Sequence, residues 1–308
     1  METNLLSALS DAMVRAVDCA AASTVHVDAR KQFGASGIAV QPDLILTANH
    51  VVERNSDIRV SLPDGSQTGA RVLGRDPETD LCLLQLERAA AFPAVAAEQE
   101  AQVGQIVMAL GRPESGEGIQ ASLGVVGAVG GPLRTNRGGL LERFIRTDAI
   151  PYPGFSGGPL IDGEGHVLGI NTSGFAPGAS LAIPAAAAWR AAGSLQQYGR
   201  VRRAYLGIRS QEVELPPGAS ELLGREQRTG LLLVGVERGQ PAERAGLIVG
   251  DILTDMDGQP ITDHDSLLAR LSGDAAEKTL LVEALRGGRL VTASVTPGER
   301  SAAEGRSG

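Results

Sequence analysis

Short apolar runs, each interrupted after a few residues by turn-forming residues, place the strongest limit on what this chain can fold into. The runs are bounded by pairs such as Pro42-Asp43 and Asp64-Gly65, the pattern of β-strands joined by tight turns. Glycine supplies 40 of the 308 residues, and this high share favours many such turns, as in small barrels. The predicted strands form two consecutive groups, at 23–27, 37–40, 44–47, 58–62 and 81–86, and then at 106–110, 144–147, 167–171 and 180–183. We therefore expect a mainly β fold with two packed β units.

The chain changes character after the second group of strands. Residues 185–197 are rich in alanine, follow Pro184 and predict a helix. Beyond residue 200, strand-like runs alternate with two helix-like segments, which indicates a separate, small domain of mixed α/β structure. The expected organisation is an N-terminal helical segment, a domain with two β units, a linker helix, a mixed domain and a disordered tail, at 1–19, 20–186, 187–203, 204–298 and 299–308 respectively.

The N-terminal segment has helical spacing of its apolar residues and predicts a short amphipathic helix. It has no basic start, and Asp11, Arg15 and Asp18 interrupt its apolar residues, so it does not resemble an export signal. No run approaches the ~18 apolar residues of a membrane span. As written, the sequence predicts a soluble, cytoplasmic chain, and a periplasmic or other extracytoplasmic one if a leader was removed.

Charge and cysteine content exclude several classes of function. The formal net charge is −8 without a basic stripe, which argues against nucleic acid as a partner. The two cysteines, Cys19 and Cys82, have neither metal-binding nor disulfide-framework spacing, and we expect two separately buried thiols. Three histidines, His26, His166 and His264, lack Cys, Asp or Glu partners at the spacing of a metal site. Neither a metal nor a cofactor is therefore expected.

Three segments carry residues that suit nucleophilic catalysis. His50 ends one predicted strand, Asp80 begins another, and Ser156 lies in the glycine-rich sequence PGFSGGP. A serine nucleophile needs a base to take its proton and a carboxylate to orient that base. It also needs N–H groups directed at the oxyanion, which Gly154 and Ser156 can supply if the loop curls around the serine. The chain order His, Asp, Ser is one of the known triad orders.

Each of these residues has an ordinary structural explanation when taken singly, and only their combination favours catalysis. A histidine after a strand is more often structural, and an aspartate before a strand is usually a turn or cap residue. The sequence GFSGG also matches the nucleophile elbow of α/β-hydrolases. That fold requires a helix directly after the serine, which Pro159 and the turn at 162–165 oppose. The esterase interpretation is therefore rejected.

The same segments closely resemble the HtrA/Deg family of trypsin-like serine proteases. The matching sequences are TANHVV around His50, DPETDLCLL around Asp80, FIRTDAIPYPGFSGGPLID around Ser156, and VLGINTS and LAIP after it. YLGI at 205–208 and GQPAERAGLIVGDILTDMDGQPI at 239–261 resemble the PDZ domain that follows the protease in this family. The resemblance implies a chymotrypsin-like double β-barrel with the triad in the cleft between the barrels, followed by a small α/β PDZ domain.

The resemblance also assigns a peptide-binding site to the PDZ domain. Such a domain takes an extended peptide as an added strand and holds its C-terminal carboxylate in a backbone nest. The carboxylate loop would be formed by Tyr205, Leu206, Gly207 and Ile208, and the facing helix by Leu267, Leu268 and Leu271. Plain core packing is the alternative role for these leucines.

Specificity can be predicted from the positions that correspond to the trypsin-type pocket. The position six before the nucleophile, acidic in trypsin-type pockets, is Ile150; Pro151 follows it, and Ser173, Gly174 and Phe175 would form the facing wall. An apolar pocket without a buried charge cannot compensate Lys or Arg, so we expect cleavage after small or medium aliphatic residues. The chain departs from the family at Phe155, where Asn usually precedes the serine, and at Pro151 and Tyr152.

Two functions follow as hypotheses. The first is an endopeptidase for unfolded or C-terminally tagged proteins, with peptide C-termini as partners of the PDZ domain. The second is a latent or weak protease that acts mainly as a PDZ-based peptide-binding or chaperone-like protein. The resemblance further implies a homotrimer, although family trimers use N-terminal aromatic residues and none precedes Phe33 here.

Overall fold

The computed structural model describes residues 4–31, 33–89, 91–114, 118–131, 133–134, 140–141, 143–175, 180–201, 204–271 and 278–299. The chain divides into two compact units, Met1–Val201 and Arg202–Gly308. Within the described ranges, no helix is long and apolar enough to cross a membrane. The tail predicted at 299–308 lies outside these ranges except for its first residue.

The first six strands are β1 Thr24–Asp28, β2 Ala35–Gln41, β3 Leu44–Ala48, β4 Ile58–Ser61, β5 Gln67–Asp76 and β6 Leu81–Leu86, with a short 3₁₀ helix at Asn49–Val51. They close into an antiparallel barrel in the order β1-β2-β3-β6-β5-β4. The turn predicted at Pro42-Asp43 joins β2 to β3, and the one at Asp64-Gly65 joins β4 to β5. Side chains such as Val25, Ile45 and Leu84 fill the interior as one buried cluster.

A second antiparallel barrel follows in the same unit. Its strands are β7 Ile106–Gly111, β8 Gln120–Gly130, β11 Phe144–Thr147, β12 Pro159–Ile161, β13 Val167–Thr172 and β14 Ser180–Pro184, with a small hairpin of β9 Leu133–Arg134 and β10 Leu140–Leu141 between β8 and β11. The barrel closes in the order β11-β14-β13-β12-β7-β8. The mainly β fold with two six-stranded barrels is thus confirmed.

Two helices belong to the first unit. The helix α1, Leu5–Ala21, buries Ala16 and Ala20, while Leu5, Leu6 and Leu9, which belong to the apolar residues at helical spacing, are exposed. The helix α2, Ala185–Tyr198, buries a face of small residues and Leu195 against strands of both barrels. The linker helix predicted at 187–203 is therefore corrected. It begins at Ala185, as the helix predicted at 185–197 does, and belongs to the core of the first unit, because its alanines recur at helical spacing.

The second unit is a small mixed α/β domain. Its elements are β15 Ala204–Tyr205, β16 Ile208–Glu214, α3 Ala219–Leu223, β17 Thr229–Val236, α4 Pro241–Arg244, β18 Ile252–Met256, β19 Gln259–Pro260, α5 His264–Leu271, β20 Leu280–Arg286, β21 Arg289–Val295 and β22 Gly298–Glu299. The main sheet has the order β16-β17-β18-β20-β21, with β19 paired to β18 and a separate pair β15-β22. Because β16 ends the order, it is the edge strand to which a peptide could be added.

Both cysteines are free thiols. Cys82 points into the first barrel and is fully buried, as expected. Cys19 was also expected to be buried, and this prediction is wrong, since the residue lies on the exposed side of α1.

Candidate active site

Strand pairing brings His50 and Asp80 together. β3 and β6 are antiparallel neighbours with Ala48 opposite Leu81. The ladder continues one step further, where the Asn49 N–H donates to the Asp80 carbonyl at 2.9 Å. His50 follows the end of β3 and Asp80 precedes the start of β6, so both lie at the same end of the first barrel. This strand register therefore brings together His50 and Asp80, which are 30 positions apart in the sequence.

The buried carboxylate of Asp80 accepts hydrogen bonds from three donors. Its Oδ1 accepts the His50 backbone N–H at 2.9 Å, and its Oδ2 lies 2.7 Å from Nδ1 of His50. Thr172, at the end of β13 in the second barrel, donates its hydroxyl to the same Oδ2 at 2.5 Å. The side chain is 5% exposed, so these bonds are poorly screened by water. They fix both the carboxylate and the imidazole that it orients.

The backbone of Asp80 is itself unusual. Its φ of 58° lies in the left-handed region, which non-glycine residues adopt at some cost and which occurs more often at functional sites. Gly174 packs against the same group, since a Cβ there would lie 2.6 Å from Asp80 Oδ2. A larger residue at 174 would displace the carboxylate, so this close approach requires glycine.

Ser156 lies on a tight segment between β11 and β12, residues 154–157, which we call the oxyanion turn. Gly154 and Gly157 have φ values of 88° and 87°, which favour glycine. A Cβ on Gly157 would lie 2.1 Å from the carbonyl oxygen of Ser36 on β2. The turn is therefore folded tightly against the first barrel, and Ser156 faces the cleft that His50 also lines.

Ser156 and His50 are brought together through a third side chain. Ser156 Oγ lies 3.1 Å from Ser173 Oγ, which in turn lies 3.4 Å from Nε2 of His50. Of the three residues expected to form the triad, Ser156 and His50 line one cleft and are linked by the Ser173 hydroxyl, while Asp80 is buried and hydrogen-bonded to His50. The sequence predicts Ser173 only as part of the pocket wall, because no local pattern indicates its contacts with Ser156 and His50.

The N–H groups predicted to hold an oxyanion belong to Gly154 and Ser156. In the described part of the chain neither N–H has a hydrogen-bond partner, whereas those of Phe155, Gly157 and Gly158 donate to carbonyl groups. Unpaired N–H groups beside the nucleophile suit a developing negative charge. The oxyanion assignment stays a prediction that this arrangement supports.

The departure from the family at Phe155 is accommodated in the core. Its side chain is 1% exposed and packs within the second barrel. It meets Tyr152 edge-on, with ring centroids 5.4 Å apart. The side chain is therefore buried in the core of the second barrel, and the residue also borders the cleft.

The cleft has a volume of about 280 Å³, and two of the five predicted pocket residues, Pro151 and Ser173, line it. The other three are corrected. Ile150 is 55% exposed and does not line the cleft. Phe175 packs in the core, and Gly174 lies against Asp80. The residues that line the cleft and were not predicted for it are Arg30, Phe33, Ala109, Tyr152, Pro153, Phe155, Asn171, Thr172, Ser180 and Leu181.

The predicted carboxylate loop of the second unit is tightly folded. Gly207 has a φ of 77°, and a Cβ there would lie 2.2 Å from Cβ of Gln240. The carbonyl groups of Leu206 and Gly207 accept hydrogen bonds from within the domain, at 2.9 and 2.8 Å. Tyr205 donates its hydroxyl to Glu237 at 2.7 Å. The loop leads directly into the edge strand β16 through Ile208.

The three leucines predicted for the facing helix separate into two groups. Leu267 and Leu271 pack in the core of the second unit, as the core-packing alternative predicts, while Leu268 is only half-buried. Leu268 therefore remains the groove candidate among them. His264, at the start of α5, approaches the Ser210 carbonyl of β16 at 3.0 Å, which ties the helix to the edge strand.

Comparison with known proteins identifies the family. Residues 35–170 match the trypsin-like peptidase domain, and residues 204–296 match the PDZ domain. A solved structure described as the HtrA-type protease AlgW with tripeptide is 31% identical, with a TM-score of 0.76, and the match covers 94% of this chain and 97% of that one. The chain belongs to the HtrA-type serine proteases.

Other similar proteins are named serine endoproteases. The serine endoprotease from Yersinia pestis aligns with a TM-score of 0.73 at 28% identity and covers 94% of this chain and 98% of its own. A relative from Rhizobium meliloti (strain 1021), named "Probable periplasmic serine endoprotease DegP-like", is 34% identical over 80% of this chain and 50% of its own length. One from Marinomonas sp. (strain MWYL1) with the same name is 35% identical over 87% of this chain and 57% of its own. The chain spans about half the length of the curated relatives it matches.

Proposed function

We propose that this protein is a serine endopeptidase that hydrolyses peptide bonds through an acyl-enzyme on Ser156. The observation that carries the proposal is the 2.7 Å hydrogen bond between Asp80 and His50 at the cleft that Ser156 faces. Family membership supports it, because the HtrA-type relatives are named serine endoproteases.

The chemistry follows from the roles of the three side chains. His50 acts as the base for Ser156, and Asp80 fixes the tautomer of His50 and stabilises the imidazolium that forms. The carbonyl oxygen that becomes negative is held by the N–H groups of Gly154 and Ser156. Hydrolysis of the acyl-enzyme repeats the same steps with water as the nucleophile.

The substrate side chain before the cleaved bond is proposed to be small or medium aliphatic. Ala109, Pro151 and Leu181 give the cleft apolar lining, and among the described lining residues there is no carboxylate that could pair with Lys or Arg. Ile150 and Phe175 do not line the cleft, but neither residue carries a charge, so the expected preference for aliphatic side chains is unchanged.

The second unit is proposed to bind peptide C-termini. The edge strand β16 offers unpaired backbone groups to an added strand, with Leu268 of α5 on the facing side and residues 205–208 at the end of the groove. We propose the periplasm as the compartment. The relatives' names support it, against the cytoplasm that the N-terminus alone predicts. The homotrimer implied by the family remains a prediction.

Digestion of an unfolded protein tests the proposal. Reduced, alkylated casein should be cut by the wild type and not by Ser156→Ala, and mass spectrometry should place most cuts after Ala, Val, Leu or Ile. A folded wild type without cleavage would favour the latent peptide-binding alternative. Cuts mainly after Arg or Lys would retain the enzyme but reject the proposed specificity.

A further inference from the structure

The hydrogen bonds between β16 and β17 show which backbone groups of β16 face the open edge of the sheet. The Leu215 N–H, just after β16, donates to the Arg228 carbonyl at 2.8 Å, and the Gly207 carbonyl, just before β16, accepts from the Glu237 N–H at 2.8 Å. Both bonds are directed toward β17, and both involve odd-numbered residues. Because the side to which backbone groups point alternates along an antiparallel strand, the even-numbered residues of β16 direct their N–H and C=O groups to the open edge.

Ser210 is one of these outward-facing residues. The register shift between Arg209 and Ser210 adds a residue to β17 only, so the alternation along β16 is unbroken. Ser210 lies opposite Leu233, whose N–H donates to Asp251 at 2.8 Å and whose carbonyl accepts from Gly250 at 2.9 Å. These partners directly precede β18, on the far side of β17. The Ser210 carbonyl is therefore an acceptor that a strand added at the edge would use.

His264, the first residue of α5, already contacts this acceptor. Its Nε2 lies 3.0 Å from the Ser210 carbonyl oxygen and 3.2 Å from Ser210 Oγ. Since a carbonyl only accepts, Nε2 carries the proton and is the donor. The N–H of an added strand would lie at about the same distance from the same oxygen, close to 2.9–3.0 Å. The imidazole and an added strand therefore compete for one position.

The imidazole also lies on the side of α5 that is expected to face the peptide. His264 and Leu268, the groove candidate of α5, are four residues apart and so share one face of the helix. Both side chains are half-buried. The hydrogen bond from His264 to Ser210 thus spans the groove between α5 and β16.

We propose that the His264–Ser210 hydrogen bond is an autoinhibitory latch on the peptide-binding groove, which an entering C-terminus displaces. The latch concerns the regulation of the site proposed above and rests on peptide binding by the second unit. When the latch is closed, a peptide strand cannot pair at Ser210. The apparent Kd is the intrinsic Kd divided by the fraction of molecules in which the latch is open. A hydrogen bond of ordinary net strength weakens peptide binding about threefold to tenfold in this way.

The kinetics of peptide binding test the latch. The probes are fluorescein-labelled heptapeptides that end in Ala, Val, Leu or Phe with a free carboxylate. The full chain carries Ser156→Ala, so that the probes are not cleaved, and this protein is the parent for the other variants. In His264→Ala, the association rate constant should rise about threefold to tenfold, because a larger fraction of the free protein is open. The dissociation rate constant should stay within twofold, since the latch is absent from the bound state.

Two further variants separate the latch from a general effect of losing a histidine. His264→Gln keeps an N–H donor of similar reach, so it should bind the probes with the parent's rate constants. His166→Ala removes a histidine from the turn between β12 and β13 of the first unit and should also match the parent.

Nitrogen NMR of the histidine rings tests the latch without a variant at position 264. In the free parent at pH 8, the ring proton of His264 should lie on Nε2, and its exchange with water should be slow. Saturation with a bound peptide should make this exchange fast, because the imidazole leaves the Ser210 carbonyl. A proton on Nδ1 in the free protein, or slow exchange that persists in the complex, would reject the latch.

The remaining outcomes separate failure of the latch from failure of peptide binding. An unchanged or lower association rate constant in folded His264→Ala would reject the latch, and a change in the dissociation rate constant alone would show that His264 contacts the bound peptide. If His264→Ala does not fold, the nitrogen spectra decide. If no probe binds either the parent or His264→Ala, the proposed binding of peptide C-termini fails, whereas equal binding by both proteins rejects the latch alone.

Discussion

The hydroxyl of Ser36, on the first barrel, donates a 2.7 Å hydrogen bond to the carbonyl oxygen of Gly154 in the oxyanion turn of the second barrel. The same hydroxyl accepts the Arg112 N–H at 2.8 Å, and the Ser36 N–H donates to the Ser156 carbonyl at 3.2 Å. Because Ser36 is fully buried, the turn that presents the nucleophile is held from the opposite barrel.

Removing this hydroxyl should reduce catalysis more than stability alone explains. In Ser36→Ala, the Gly154 carbonyl and the Arg112 N–H lose a buried partner, which costs about 1–3 kcal/mol of unfolding free energy. We expect kcat to fall about 10-fold or more, because complete removal of one oxyanion-hole donor lowers kcat by more than tenfold. We expect KM to change little. Steady-state kinetics and urea denaturation measure the two effects.

The matched control is Ser23→Ala. Ser23 is also buried and also donates to a carbonyl, that of Ala20, at the end of α1. It should lose less stability than Ser36→Ala, because the Ala20 carbonyl still accepts from the Thr24 hydroxyl and the Ser23 N–H, and its kcat should be unchanged. Equal losses of kcat in both variants would contradict a specific role of Ser36.

Gly157 should tolerate no side chain. In Gly157→Ala, the new Cβ would lie 2.1 Å from the Ser36 carbonyl oxygen, in addition to the strain of a φ near 87°. Gly65→Ala has nearly the same φ, 84°, with no atom within 4 Å, so it isolates the backbone term of about 1–2 kcal/mol. Urea denaturation should show a clearly larger loss for Gly157→Ala, together with loss of cleavage. A loss equal to that of Gly65→Ala would contradict the close packing of the two barrels at this turn.

Gly207 should be needed for peptide binding. A Cβ at this position would lie 2.2 Å from Gln240 Cβ, whereas Gly239, with a φ of 75°, has open space around it. Gly207→Ala should therefore weaken binding of a hydrophobic C-terminal peptide at least 10-fold by calorimetry, and Gly239→Ala less than threefold. Amidation of the peptide's C-terminus should weaken binding to the wild type as well. Unchanged affinity on amidation would reject capture of the carboxylate.

The two thiols should differ strongly in reactivity. Burial raises the pKa of the Cys82 thiol to about 12, partly offset by Arg75, so at pH 8 the thiol is neutral and a poor nucleophile. Cys19 is exposed. Titration with Ellman's reagent at pH 8 should count one thiol in the native protein and two in urea. Rapid modification of Cys82 in the native state would contradict its burial.

The sequence predicted the parts of the fold that local patterns determine. The turns at Pro42-Asp43 and Asp64-Gly65 have residues whose backbone preferences require a turn, and they join strands of the first barrel. The prediction of a linker helix was wrong because alanine spacing indicates that a helix has a buried face but not which part of the protein covers that face. The leucines of α1 were misleading for the same reason, since periodicity does not distinguish a covered face from an exposed one.

In the candidate active site, too, local sequence patterns predicted some residues and tertiary contacts determined the others. His50, Asp80 and Ser156 could be identified because their residue types and order suit one chemistry. The contributions of Ser36 and Thr172 depend on contacts between the two barrels, which no local pattern reveals. The distance of Ile150 from Ser156 along the chain predicts a pocket position, but spacing in the sequence does not determine which side chains line the cleft, and Ile150 does not line it.

The central claim is that Ser156 is the activated nucleophile, and covalent labelling tests it most directly. The folded protein is treated with a fluorophosphonate probe, and the modified peptide is mapped by mass spectrometry. The account predicts a single adduct on Ser156, absent in Ser156→Ala and not transferred to Ser173. Folded wild type without an adduct, or with the adduct on another serine, would contradict it.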